Sequence, residues 1–354
     1  MSYPSPTGTS PTGGLLLSVE LGGGVVRAAT LRFTRPVQLC EAVLGWPAAE
    51  LPTAFERLYA LCGRSHGIAA RLALDAARGR HTPDPTLRAA VRQLAAERIG
   101  EHLRSTFATA ASLGLSAEPM ELTALRGVFA ATRPDQKPTG LTGALAVLGL
   151  DGARPAPQSW AARMLATAEQ ENGPVDHETG RVDRLTPADD AAVLAALARA
   201  GSAFAAAPVL PGRRPETGAL GRSGADSASP RARLAARFAE IRCAAALLLE
   251  EAEDAPAAWL ASFTLPDGAG CAAVESPRGR MHHLVAVDAQ DRVTRCAVLA
   301  PTEWNFHPDG PLVHALRGLR VGSGAAAAAR IRWLVGLFDP CVPCALALRE
   351  SADA

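Results

Sequence analysis

Cys341 and Cys344 form a C-x-x-C pair inside FDPCVPCALA. Two thiols three apart can close on one metal ion, and Pro340 and Pro343 restrict the backbone that presents them. Taken alone, the pair also fits half a zinc site, a redox couple or coincidence in an alanine-rich stretch. A second grouping lies far upstream, in LYALCGRSHG. Cys62 and His66 are four apart in a helical pattern, so they share one face, a turn apart. The imidazole could ligate the same metal or donate a hydrogen bond to the thiolate, which favours the charged sulfur. The plain alternative is a buried thiol beside a satisfied core histidine. Glu275-Ser276-Pro277-Arg278-Gly279 runs on to His282-His283, and an arginine buried beside a proline is costly unless it meets an anion. Pro301-Thr302-Glu303-Trp304-Asn305 sets a hydroxyl and an amide beside a large aromatic ring. Each of these two segments could equally be an ordinary surface turn.

The elements that must position these groups are mostly helical. LLLSVEL and VVRAATLRF (15–21 and 25–33) flank three glycines and suggest a hairpin. From Pro52, AFERLYALCGRSHGIAARLALDAARG repeats apolar residues at helical spacing, and TLRAAVRQLAAERIGEHLRSTFATAASLG predicts a second long amphipathic helix. Further helices are expected at 158–170, 187–206, 232–252 and 324–337. A β-rich patch covers 258–299. Residues 207–231, rich in Pro, Gly and Ser, read as a linker or a functional loop. The fold class expected is mainly α with small β elements (α+β).

The 354 residues are 48% apolar and 20% charged, with a formal net charge of +1. A sizeable core is therefore within reach. Neither a nucleic-acid nor an acidic-lipid partner is indicated, because each calls for a clustered basic face. The Pro-, Gly-, Ser- and Thr-rich start, residues 1–14, reads as a disordered tail without the charge and apolar pattern of a signal peptide. No apolar run is long enough to span a membrane, so the seven cysteines are expected to be cytoplasmic thiols. Cys40, Cys243, Cys271 and Cys296 sit in apolar patterns and read as core residues. His81, His102, His177, His282, His307 and His314 have no partner spacing, and Glu250 to Asp254 reads as a solvated helix end.

In order along the chain, these segments resemble those of the nickel–iron hydrogenase large subunit. That family's first motif, R-x-C-G-x-C-x-x-x-H, is matched by Arg57 to His66. Its last, D-P-C-x-x-C-x-x-H, is matched by Asp339 to Ala347. Between them, E-A-P-R-G-x-x-x-H is matched by Glu275 to Gly279 with His283, and P-T-x-W-N by Pro301 to Asn305. Glu216-Thr217-Gly218 resembles its E-T-G element, and ERIGEHL (97–103) fits its long helix.

The resemblance implies a helical bundle with the first and last cysteine motifs at its centre, formed as a single domain over 15–354. The segment near 207–231 would then be a long surface loop. In that family four cysteines hold nickel and two of them bridge to an iron carrying cyanide and carbon monoxide. By position the bridging thiols are Cys62 and Cys344, and Cys341 is one of the two that bind nickel only. The other is replaced by Tyr59, a hard oxygen in place of a soft thiolate, and Ala60 replaces the adjacent glycine. The iron fragment thus keeps both protein ligands while nickel loses one. The resemblance places Arg278 against one cyanide, Pro301 and Thr302 against the other, and His66 against a bridging sulfur. Ala347 stands where catalytic subunits end their motif in histidine. Pro308-Asp309-Gly310 departs from the usual P-R-D continuation.

This combination is similar to the hydrogenase accessory proteins of the HupK/HoxV kind. It implies a non-catalytic scaffold or carrier for the iron-dicyanide-carbonyl fragment, with a HypC-type chaperone and the apo large subunit as partners and no nickel. Three other readings remain: an altered hydrogenase large subunit, a metal-free protein-binding paralogue, and a structural zinc site of Cys62, His66, Cys341 and Cys344.

Overall fold

The computed structural model of the chain describes residues 14–33, 37–133, 136–171, 182–250 and 257–351. Nearly all of the expected tail at 1–14, together with His177 and the acidic residues Glu251 to Asp254, lies outside the described residues.

The alternating apolar residues near the start pair as an antiparallel hairpin, β1 (Leu15–Gly22) and β2 (Val25–Phe33). Leu15, Leu17, Val19 and Leu21 are all buried, as a side-chain period of two requires for one inward face. The turn places Gly23 and Gly24 at φ 59° and 73°, where a side chain would be strained.

The long helical pattern that follows is two helices, not one: α1 (Leu51–Leu58) and α2 (Gly63–Ala77). Tyr59 leaves the helix at φ −92°, ψ 93°, and Cys62 is left-handed at φ 59°, ψ 27°. Apolar spacing could not show this corner, because α1 and α2 both bury faces of the same period. Its local cause is Gly63. A Cβ there would lie 2.4 Å from the Glu56 carbonyl oxygen, so only glycine lets α2 start so close to α1. We expect Gly63→Ala to destabilise the protein by about 2–3 kcal/mol; a denaturation midpoint equal to that of the parent would show that the corner relaxes freely.

The bundle continues with α3 (Asp84–Ala111), α4 (Pro119–Ala131), α5 (Leu141–Leu148), α6 (Trp160–Gln170) and α7 (Asp190–Ala206). A short α8 (Ala219–Ser223) precedes α9 (Pro230–Leu248). Ser159 and Ser229 cap α6 and α9, each accepting from a backbone N–H three residues on, at 3.3 and 3.1 Å. The late β patch is a four-stranded antiparallel sheet of β3 (Leu260–Thr264), β4 (Gly270–Ser276), β5 (Gly279–Val287) and β6 (Val293–Leu299). Then come α10 (Pro301–Asn305), α11 (Pro311–Leu316), α12 (Gly324–Phe338) and β7 (Cys344–Glu350).

β7 joins β1 in parallel, Leu15 opposite Cys344, so the two ends of the described chain share one sheet, β2-β1-β7. α2 is buried along most of its length between α1 and the second sheet, and Gly270 approaches so closely that a Cβ would lie 1.9 Å from the Ala73 carbonyl. α3 packs on α9, with α12 alongside. One apolar core runs from Leu15 to Phe338, and a smaller one joins α7 to the second sheet through Val193, Leu197, Leu284 and Leu299. The segment 207–231 is not a surface loop throughout: Pro215 to Gly221 are buried and include part of α8. Cys243 is exposed, against its reading as a core residue. No helix among the described residues is long and apolar enough to cross a membrane.

Candidate functional site

Cys62, Arg278, Thr302 and Cys341 come from four different elements. Cys62 caps the buried N-terminus of α2, and the Glu97 carboxylate of α3 receives the Arg64 and Ser65 backbone N–H groups at 2.8 and 3.1 Å. That orientation fixes the α1–α2 corner, since a carboxylate stabilises a helix N-terminus. His66 N still donates to the Cys62 carbonyl at 3.0 Å, so the four-residue spacing survives the corner.

Arg278 sits at the tip of the β4–β5 hairpin, a two-residue turn of Pro277 and Arg278 closed by Ser276 opposite Gly279. Gly279 is at φ 138°, and Thr217 occupies the room a Cβ would need. The tip therefore plugs into the E-T-G segment, where Arg280 N donates to Thr217 Oγ1 at 2.8 Å. Asn305 clamps the same threonine backbone: Thr217 N donates to its Oδ1 at 3.0 Å, and its Nδ2 donates to Thr217 O at 2.9 Å.

Held this way, the Arg278 guanidinium is almost fully buried. Its Nη1 lies 3.1 Å from Cys62 Sγ and 3.0 Å from Glu101 Oε2. Its Nη2 lies 3.3 Å from Asp339 Oδ1, and its Nε is buried with no hydrogen-bond partner. Asp339 ends α12 in the left-handed region, φ 55°, two residues before Cys341. Thr302, in the first turn of α10 behind Pro301, donates to Cys341 Sγ at 3.0 Å and accepts from Cys341 N at 3.4 Å. Two pairs thus form, Cys62 with Arg278 and Cys341 with Thr302, and Asp339 ties them together. A cavity of about 20 Å³, lined among others by Arg237, Arg278, Thr217 and Asp339, has room for one water beside the guanidinium.

His66 turns elsewhere. Its Nδ1 meets His283 Nε2 at 3.0 Å, where the resemblance implied a sulfur contact. Tyr59 stacks flat on the His66 ring at 3.6 Å between centroids and meets Phe55 edge-on. The ring in the position of the missing thiolate is thus packed into an aromatic group. Cys344 opens β7 against Leu15 and is half-buried, with its Sγ 3.9 Å from the Ala345 carbonyl.

Burial pushes the Cys62 thiol up to about 12, against the nearby Arg278 charge, and the Cys344 thiol up to about 11. Both thiols keep their protons near neutral pH, so binding a metal there releases protons. Burial also raises the Asp339 carboxyl, but the Arg278 and Arg237 charges outweigh it and hold the pKa below the ordinary value. Among the described residues no three His, Cys, Asp or Glu side chains are grouped to hold a metal ion. The closed zinc site of Cys62, His66, Cys341 and Cys344 is therefore not assembled among them.

Sequence reasoning missed the carboxylates around these groups. Glu101 and Asp339 lay inside quoted segments without a role. Behind them a buried ionic network extends outward. Glu240 meets Arg222 and His102 at 2.8 and 2.7 Å, and Glu275 meets Arg222 and Arg280 at 2.6 and 3.0 Å. Asp190 holds Arg280 and, at 2.9 Å, His282. The available signal was charge at core-facing positions of α3 (Arg98, Glu101, His102) and α9 (Arg233, Arg237), all buried. Charged residues are almost never fully buried unless paired.

No protein-family model matches the chain. It is 35% identical, over 96% of its length and 97% of the relative's, to the hydrogenase expression/formation protein HupK of Bradyrhizobium diazoefficiens. It is 33% identical, over 96% of its length and 97% of the relative's, to HupK of Rhizobium leguminosarum bv. viciae. Similarity to the hydrogenase expression/formation protein HoxV of Cupriavidus necator is 32% over 89% of this chain and 91% of that one. Among solved structures, a chain of the [NiFeSe] hydrogenase of Desulfovibrio vulgaris Hildenborough superposes with a TM-score of 0.58 at 16% identity, covering 90% of this chain and 93% of the other. The fold is that of the nickel–iron hydrogenase large subunit, an α+β bundle with small sheets.

Proposed function

The chain belongs to the family of hydrogenase expression/formation proteins named HupK and HoxV, and from that membership we propose that it is a non-catalytic assembly factor for nickel–iron hydrogenase. Its cargo is the iron-dicyanide-carbonyl fragment, received from a HypC-type chaperone and passed to the apo large subunit. Cys62 and Cys344 hold the iron, and nickel is not bound.

The observation that carries this reading is Arg278. Its guanidinium touches Cys62 while its Nε is buried and unpartnered. A buried donor left unsatisfied costs about 1–3 kcal/mol, and a cyanide nitrogen arriving beside Cys62 would satisfy it. The Thr302 hydroxyl beside Cys341 offers a second donor. Hydrogen bonds to charged groups contribute about 1.5–3 kcal/mol each, enough to retain a diatomic-bearing iron but not a bare ion. Tyr59 supports the exclusion of nickel, because its ring is stacked on His66 and cannot serve as a thiolate.

The test is infrared spectroscopy with metal analysis on protein purified without oxygen from cells expressing the maturation machinery. Cyanide and carbonyl stretching bands are expected, with iron present and nickel absent, and with the bands lost in Cys62→Ala and Cys344→Ala. Folded protein without iron and without bands would sink the carrier reading. It would favour a second one, a metal-free assembly role through protein contacts, for which the ungrouped ligands speak. Tyr59→Cys should still show no hydrogen uptake with an artificial acceptor; uptake by that variant would make the protein an altered enzyme.

A further inference from the structure

Two cysteines outside the metal motifs meet each other. Cys40 lies in the 3-10 segment Val37–Val43, which packs against β6, and Cys296 lies in β6 itself. β6 is the outer strand of its sheet, so one side has no strand partner and the 3-10 segment covers it. There the two thiols are hydrogen-bonded to one another, and the Cys40 sulfur also accepts from the Val298 backbone N–H. Cys40 is only 8% exposed, and Cys296 is partly exposed.

Both contacts place a donor on the Cys40 sulfur, which favours negative charge there, while Cys296 keeps the proton. That asymmetry is the arrangement of an attacking thiol and a resolving thiol. A small rotation of either side chain takes two sulfurs from hydrogen-bond contact to the S–S bond length of about 2.05 Å.

We propose that Cys40 and Cys296 form a reversible disulfide, making the pair a modification site for small disulfide oxidants of the glutathione class. The Cys40 thiolate attacks one sulfur of glutathione disulfide, and one glutathione leaves as its thiolate. Cys296 then gives up its proton and attacks the Cys40 sulfur of the mixed disulfide, expelling the second glutathione. Two protein thiols are oxidised, one disulfide is reduced to two glutathiones, and the two cysteine protons end on the glutathione thiolates. The bond ties the segment that follows β2 to the strand that leads into α10 and Thr302.

The test uses the full chain, incubated anaerobically in glutathione buffers of rising disulfide fraction, then alkylated and mapped as peptides without reduction. The expected product is a cross-linked peptide pair containing Cys40 and Cys296, lighter by two hydrogens and returned to free thiols by reduced glutathione. In Cys296→Ser, Cys40 should instead carry one glutathione. The proposal is overturned if Cys40 and Cys296 are recovered separately, alkylated or as single glutathione adducts, in wild-type samples whose exposed Cys243 has become glutathionylated. Any Cys341–Cys344 bond appears in its own peptide and does not bear on the result. Should the serine variant fail to fold, the wild-type map alone decides.

Discussion

Arg278→Ala should lower the unfolding free energy by about 3–5 kcal/mol, the range seen when one partner of a buried ion pair is removed. Its guanidinium lies 3.0 Å from Glu101 and 3.3 Å from Asp339, with all three side chains less than a tenth exposed. Alanine would strand two carboxylates away from water, and both would take up protons or drag solvent into the core. Urea unfolding measures the loss directly. Arg278→Lys should recover only part of it, because one ammonium cannot reach two carboxylates and a sulfur as a planar fork does. Combining Arg278→Met with Glu101→Leu should cost less than the sum of the two single changes, because the charges leave together. An Arg278→Ala midpoint equal to that of the parent would mean that these carboxylates are held by other groups, and the cyanide-facing role of Arg278 would lose its anchor.

Stability should fall as pH drops from about 6.5, well before ordinary carboxylates titrate. Burial lowers the pKa of His283 to about 3, with the neighbouring His282 charge adding to it. Unfolded, the same side chain titrates near 6.5. Between these values the unfolded chain binds the extra proton, so stability rises with pH and is lost as pH falls. The loss amounts to about 2 kcal/mol at pH 5 and approaches about 5 kcal/mol at the low end. His102, lowered by burial despite its Glu240 partner, acts in the same direction. Further down, the carboxyls of Glu240 and Asp190 follow. Burial raises each, but arginine charges and hydrogen bonds hold both below their ordinary values, so they stabilise above the unfolded pKa near 4 and cease to as pH falls. Glu97 opposes these groups, because burial raises its pKa and protonation there favours the fold. Guanidinium midpoints at pH 7.5 and pH 5 check the slope. His283→Gln should flatten it, and an unchanged slope in that variant would show that His283 is not the group responsible.

Much of this protein was written in local pattern. The alternation of LLLSVEL and VVRAATLRF sufficed for the first hairpin, because burial on one face of a strand enforces a period of two. The strands at 258–299 and the helices near 158–170 and 324–337 followed from the same logic. The cysteine, arginine and threonine motifs named the groups that converge, because their chemistry is carried by residue type. Pairing was not legible, since it depends on sequence-distant neighbours. Cys62 meets Arg278 across 216 positions, and Cys40 meets Cys296 only because a turn segment covers the open edge of β6. The corner at Tyr59 to Cys62 was hidden because two helices with one apolar period read as one, and only the closeness of Glu56 to Gly63 breaks them. The buried ions of α3 and α9 looked like solvated faces, since a charged side chain reads the same in sequence whether water or a partner answers it. Residue type and spacing determined which elements form and which chemistry is present; packing alone decided which charges are buried, what holds them, and where each thiol points.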